Sequence, residues 1–255
     1  MQPDAYRAYT HSLEQLARHD PRIHALVVLG STAATDHQPD AWSDHDFWLV
    51  VETGTHTHFH DDLSWLPQFE RITLTYRETQ HGWKALFDDG HVLEFAIFQP
   101  HELDVVRFHH YRVPVDKTDV AAHLTQMKAT FANHHTPPAP PEIAKFLLFL
   151  LVIGMGRYHR GEQISGHLFI KHDALTHLLQ LIRATVPPQH PHLEDTLNAS
   201  RRIEQTHPQY TDRLHTLITA PVPHAAARIL EMALELHPDI SPETVATVRR
   251  VIDRA

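Results

Sequence analysis

The stretch that most constrains this chain runs from residue 24 to residue 51, His-Ala-Leu-Val-Val-Leu-Gly-Ser, a polar insert, Ser-Asp-His-Asp, then Phe-Trp-Leu-Val-Val. His24–Leu29 is a short β-branched run that stops at Gly30, as a buried strand does. Gly30 permits a tight turn with close backbone approach, and Ser31 starts a helix whose free N–H groups face outward. A helix start of that kind attracts phosphate. Asp44 and Asp46 are one residue apart at the start of a second apolar strand, so their carboxylates point the same way.

Two carboxylates side by side repel unless a cation lies between them. Mg²⁺ is the hard cation that takes one or two carboxylates together with substrate phosphates. A phosphate-attracting turn and a carboxylate pair make a site for a nucleoside triphosphate. Further on, His91–Phe98 is an apolar run of strand length with Glu94 as its single charge. A lone carboxylate there is costly unless it meets a cation or a proton-transfer partner.

With Gly30-Ser31, Asp44-x-Asp46 and Glu94, the chain resembles the nucleotidyltransferase superfamily of the DNA polymerase β type. The resemblance covers residues 24–98. It implies that Asp44 and Asp46 hold one or two Mg²⁺ ions on the triphosphate. It implies that Gly30 and Ser31 grip the phosphates. Glu94 either completes a second metal site or takes the proton of the acceptor hydroxyl. Paired metals of this kind stabilise the attacking and leaving oxygens of an in-line displacement.

Composition sets the bounds. At 255 residues and 42% apolar content the chain holds one large domain or two smaller ones. There is no membrane-length apolar run, and the acid-bearing amphipathic start is unlike a signal peptide. Cysteine is absent, which excludes a disulfide framework and suits a cytoplasmic setting. The net charge is −9, and all of it falls in residues 1–115, with 8 basic and 17 acidic residues. An acidic site half argues against a nucleic-acid footprint and favours a cationic small substrate. Of the 26 histidines, His56, His58 and His60 form the densest group, in a segment that reads as a loop.

Along the chain, residues 3–19 read as a helix on the stripe Tyr6, Tyr9, Leu13, Leu16, and 71–77 as an alternating strand. Residues 80–87 read as a short helix or loop, Asp89-Gly90 as a turn, and 100–105 as a short helix. Four prolines within residues 137–141 form a stiff connector. Beyond it the pattern is helical. Helix 142–160 is apolar all round, hence a buried bundle centre, and Gly161 and Gly166 bracket a break. Helices follow over 167–184, 193–206, 210–219, 224–237 and 242–254.

The expected architecture is an α/β (α+β) nucleotidyltransferase domain with a mixed sheet over 1–115, a helix and Pro-rich linker over 116–141, and an all-α helical-bundle domain over 142–255. This plan resembles the aminoglycoside and lincosamide adenylyltransferases, with the Glu94 strand most like the streptomycin/spectinomycin type. The resemblance implies transfer of AMP from ATP, or of another nucleoside monophosphate, to a hydroxyl of a small molecule, with pyrophosphate released. An antibiotic-resistance role goes with that. Arg157, Arg160 and Lys171, around the Gly161–Gly166 segment, are candidate contacts for the triphosphate. Two alternatives stay open: an acceptor on a protein or RNA, and a non-catalytic nucleotide- or partner-binding relative.

Overall fold

The computed structural model describes residues 1–33, 39–105, 110–134, 138–195 and 198–254; for Val105 and residues 131–134 it describes the backbone alone. The chain divides into two compact units, Met1–Thr136 and Pro137–Ala255, with the boundary beside the proline cluster. The expected helix break at His37 and the middle of the proline-rich connector lie outside the described residues.

The first unit is built on a six-stranded mixed sheet. Its strands are β1 (Ile23–Leu29), β2 (His45–Val51), β3 (Ile72–Arg77), β4 (Gly82–Phe87), β5 (Val92–Phe98) and β6 (Tyr111–Asp116). They lie in the order β3-β4-β5-β2-β1-β6. Only β2 and β5 run parallel; the other neighbours are antiparallel. One face packs Leu26, Val28, Phe47, Leu49, Phe95 and Ile97 against Tyr9, Leu13 and Ala17 of helix α1 (Pro3–His19). The opposite face packs Ala25, Val27, Val50 and Phe98 against Val120, Leu124 and Met127 of a later helix, Val120–His134. Burying both faces explains why β1 reads as a continuous apolar run.

Residues 82–87 form β4, where a helix or loop was expected. Trp83, Ala85 and Phe87 alternate toward the α1 face, a period-two pattern too short to stand out beside Gly82. Strand β6 was not anticipated, because Pro114 sits inside it. Among the described residues it pairs only with β1, at the sheet edge, and its register slips between the Leu26 and Val28 partners, where a proline is tolerated. The histidine group is helical too: α2 (Gly30–Ala33) is followed by α3 (His56–Asp61).

The second unit is all-helical around one apolar core. After α4 (Val120–His134) come α5 (Pro140–His159), α6 (Gln163–Leu168), a π-helical segment Phe169–Ala174, and α7 (Leu175–Thr185). Gly166 does not mark a break. It lies within α6, where an added Cβ would come within 2.7 Å of Tyr158 Cβ, so it permits close helix packing. Gly161, at φ +91°, is the residue that ends the α5 turn. Helix α5 is not buried on all sides, since Phe149 is 65% exposed with Phe146 and Ile153 on the same stripe.

The described residues of 193–206 do not form the single expected helix. A 3₁₀ turn at Pro191–Leu193 and the short α8 (Ile203–Thr206) are what the described residues contain. Asp195 accepts from Asn198 N, and Asn198 Oδ1 accepts from Ser200 N, so side chains take backbone donors that a helix needs. The chain closes with α9 (Thr211–Thr219), α10 (Val222–Leu236) and α11 (Pro242–Ile252), close to expectation. Among the described residues no helix is long and apolar enough to cross a membrane.

Candidate active site

The register of the sheet assembles the carboxylates. In the parallel pair, Asp46 of β2 stands opposite Glu94 of β5. Both point to the same face because Phe47 and Phe95, one residue on, stack within the other core at 5.2 Å. Asp44 precedes β2 by one residue. One carboxylate oxygen from each of Asp44, Asp46 and Glu94 lies within 4.8 Å of the others, and all three residues are half-buried. This is the single such grouping among the described residues. A cavity of about 330 Å³ opens on Asp44 and Glu94 and is also lined by Trp42, Asp89 and His91.

The next strand adds a residue that sequence reasoning missed. Lys84 of β4 stands opposite Glu94, and its Nζ lies 2.8 Å from Glu94 Oε1 and 3.3 Å from Glu78 Oε1. That pairing holds the Lys84 ammonium above its ordinary pKa, chiefly through Glu94. It supplies part of the cation that a lone strand carboxylate requires. Lys84 had no signal of its own while its segment read as helix or loop.

The Gly-Ser turn sits directly on this group. Gly30 has φ +50°, and a Cβ placed there would lie 3.1 Å from Asp46 Oδ2. Ser31 is buried, with its Oγ 3.5 Å from Asp44 O. Tyr6 Oη donates to Asp44 O at 2.7 Å and lies 2.7 Å from Thr32 Oγ1, which accepts from Asp46 N at 3.0 Å. Burial first, and the nearby Asp46 and Asp44 charges further, push the Tyr6 phenol up to about 12, so it stays protonated as a donor.

His45, between the two aspartates, faces the other way. Its ring stacks on Tyr6 at 3.7 Å, and its Nδ1 is 2.6 Å from His91 Nε2. Burial, reinforced by His91, lowers His45 to about 3; burial lowers His91 to about 4. His60, whose Nδ1 accepts from Trp83 Nε1 at 2.9 Å, is also lowered by burial to about 4. These rings are neutral in the folded protein and charge in the unfolded chain below about 6.5. The unfolded state then binds more protons, so stability is full above pH 6.5 and is lost as pH falls toward 4. In buffer without divalent cations, unfolding free energy is expected to drop by up to about 1.4 kcal/mol per pH unit for each ring. Denaturant midpoints at pH 7.0, 6.2 and 5.5 check this, and a flat profile would contradict it.

The other expected contacts lie in the helical unit. Arg157 donates to Ser165 Oγ at 2.7 Å and covers the Phe169 ring at 4.4 Å. Arg160 pairs with Glu162 at 2.8 Å. Lys171 Nζ donates to Ile218 O at 3.0 Å and to Ala220 O, capping the end of α9.

A mixed sheet thus sets a Gly-Ser turn against three carboxylates, and one family model covers this part of the chain. The model of the streptomycin adenylyltransferase family matches residues 6–147, more than half of the chain, and the chain belongs to that family. Among solved structures, an aminoglycoside 6-adenyltransferase from Bacillus subtilis aligns over 97% of both chains at 9% identity, with a TM-score of 0.36. A nucleotidyltransferase-like protein from Exiguobacterium sibiricum 255-15 aligns over 97% of this chain and 78% of its own, at 12% identity and a TM-score of 0.35. No curated protein matches the sequence.

Proposed function

We propose that this nucleotidyltransferase moves AMP from ATP to a hydroxyl of a small, cationic, aminoglycoside-like acceptor and releases pyrophosphate. The observation that carries the proposal is the convergence of Asp44, Asp46 and Glu94 beside the Gly30 turn. An all-oxygen donor set of carboxylates fits Mg²⁺. Asp44 and Asp46 would hold it, with Glu94 as a third ligand. Bound there, Mg²⁺ would neutralise charge on the phosphates and polarise the phosphorus to be attacked.

The chain's own residues divide the remaining work. Gly30 and Ser31 present backbone and hydroxyl to the phosphates. One Glu94 oxygen is engaged by Lys84, and the carboxylate's second oxygen serves either the metal or the proton of the acceptor hydroxyl. The net charge of −9 over residues 1–115 favours an acceptor that carries ammonium groups. Arg157, Arg160 and Lys171 enter the proposal as phosphate contacts that would each give up a present partner, for Lys171 the α9 carbonyls.

The test is isotopic. ATP labelled at the α-phosphate, with Mg²⁺ and a panel of aminoglycosides, is expected to leave its label on an acceptor. ATP labelled at the γ-phosphate is expected to leave its label in pyrophosphate. Transfer of the γ-label to an acceptor, or label on none of the panel, would contradict the proposal.

A further inference from the structure

The hydrogen bonds fix the direction of the Tyr6 and Thr32 hydroxyl protons behind the Asp-x-Asp motif. A carbonyl only accepts, so the single Tyr6 hydroxyl proton goes to Asp44 O. At the 2.7 Å contact between Tyr6 Oη and Thr32 Oγ1, Thr32 must therefore donate. Thr32 Oγ1 in turn accepts from Asp46 N. The result is one chain, Asp46 N–H to Thr32 O–H to Tyr6 O–H to Asp44 C=O. It starts on one side of His45 and ends on the other.

A second chain anchors His45 itself. Thr10 Oγ1 donates to Tyr6 O at 3.1 Å, so it accepts from His45 Nε2 at 2.9 Å. His45 Nδ1 is then the acceptor for His91 Nε2 at 2.6 Å. Both chains meet at Tyr6, whose ring also stacks on His45. The two peptide groups that aim the Asp44 and Asp46 side chains are thus tied to one tyrosine of α1.

We propose that the hydroxyls of Tyr6 and Thr32 form a one-way relay that sets the spacing of the Asp44 and Asp46 carboxylates, making both positioning residues of the site. The proposal rests on the metal reading given above. Tyr6 holds the Asp44 carbonyl directly and Thr32 holds the Asp46 N–H directly, and the Thr32–Tyr6 bond couples the two. Ligand-orienting partners of this kind change metal affinity about 10- to 100-fold.

The test uses the full chain and Mn²⁺ alone, followed by electron paramagnetic resonance, with hydrogen exchange at the Asp46 amide. Tyr6→Phe keeps the ring on His45 and removes the oxygen; Thr32→Val keeps the shape and removes the hydroxyl; Thr32→Ser restores it. Each of the first two is expected to weaken Mn²⁺ binding about tenfold or more. Thr32→Val, which removes the acceptor of the Asp46 amide, is also expected to speed exchange at that amide, and Tyr6→Phe to speed it less. The double variant should lose less than the sum of the two single losses, because the Thr32–Tyr6 bond is shared, and Thr32→Ser should bind like wild type. Additive losses, or wild-type affinity in either single variant, would overturn the relay. A wild-type protein that binds no Mn²⁺ would overturn the metal reading and the relay with it. That outcome is distinct from failure of the relay alone, where wild type and variants bind equally well.

Discussion

Asp46→Asn is expected to lose roughly three orders of magnitude in transfer rate while folding as wild type does. The side chain keeps its size, so it still fits in the space that the missing Cβ of Gly30 leaves open. Its backbone N–H still donates to Thr32 Oγ1. What disappears is one of three negative charges grouped within 4.8 Å. Relieving that repulsion leaves stability unchanged or slightly raised, because half-buried like charges oppose folding. A loss of catalysis without a loss of stability marks a residue kept for chemistry. Steady-state rates and thermal midpoints on the same preparation check this, and a variant that keeps a tenth of wild-type turnover would remove Asp46 from the proposed metal site.

Gly30→Ala should damage the protein in two ways at once. At φ +50° any L side chain costs about 1–2 kcal/mol. The new Cβ would also sit 3.1 Å from Asp46 Oδ2 and push that carboxylate aside. That contact is relieved by a shift of a few tenths of an ångström, and since a misplacement of 1 Å costs about 10²-fold in rate, a loss of roughly severalfold is expected. The control is Gly54→Ala, where φ is +88° but nothing lies within 4 Å. It should show the same kind of destabilisation with full activity. Equal activity in the two variants, measured at a temperature where both are folded, would mean that the turn does not constrain Asp46.

The parts of the site that were legible in the sequence are those whose geometry is local. Gly30 and the Asp44-x-Asp46 spacing depend on one turn and one strand, and an isolated Glu94 stands out in any apolar run. The unread parts depend on register. Lys84 reaches Glu94 because β4 pairs with β5, and β4 was disguised by a short alternation that begins at a glycine. Strand β6 was hidden by Pro114, which an edge strand tolerates beside an irregular register. Tyr6 was visible as one step of an apolar stripe, and it does pack in the core. Its hydroxyl, however, serves Asp44, which is 38 residues away in sequence, and no helical periodicity reports that. In the second unit, segment 193–206 carried a helical pattern that Asp195 and Asn198 undo by capturing nearby N–H groups.

The central claim is that Asp44, Asp46 and Glu94 hold a metal–nucleotide pair, and thermal unfolding with ATP tests it most directly. Wild type and Asp46→Asn are heated in parallel, with ATP alone, Mg²⁺ alone and both together. At a hundred times its dissociation constant a ligand adds about 2.7 kcal/mol, a shift of several degrees for a unit of this size. The expected result is stabilisation of the wild type by ATP only when Mg²⁺ is present, and no shift in the variant. Equal stabilisation of both proteins, or of the wild type without Mg²⁺, would contradict the claim.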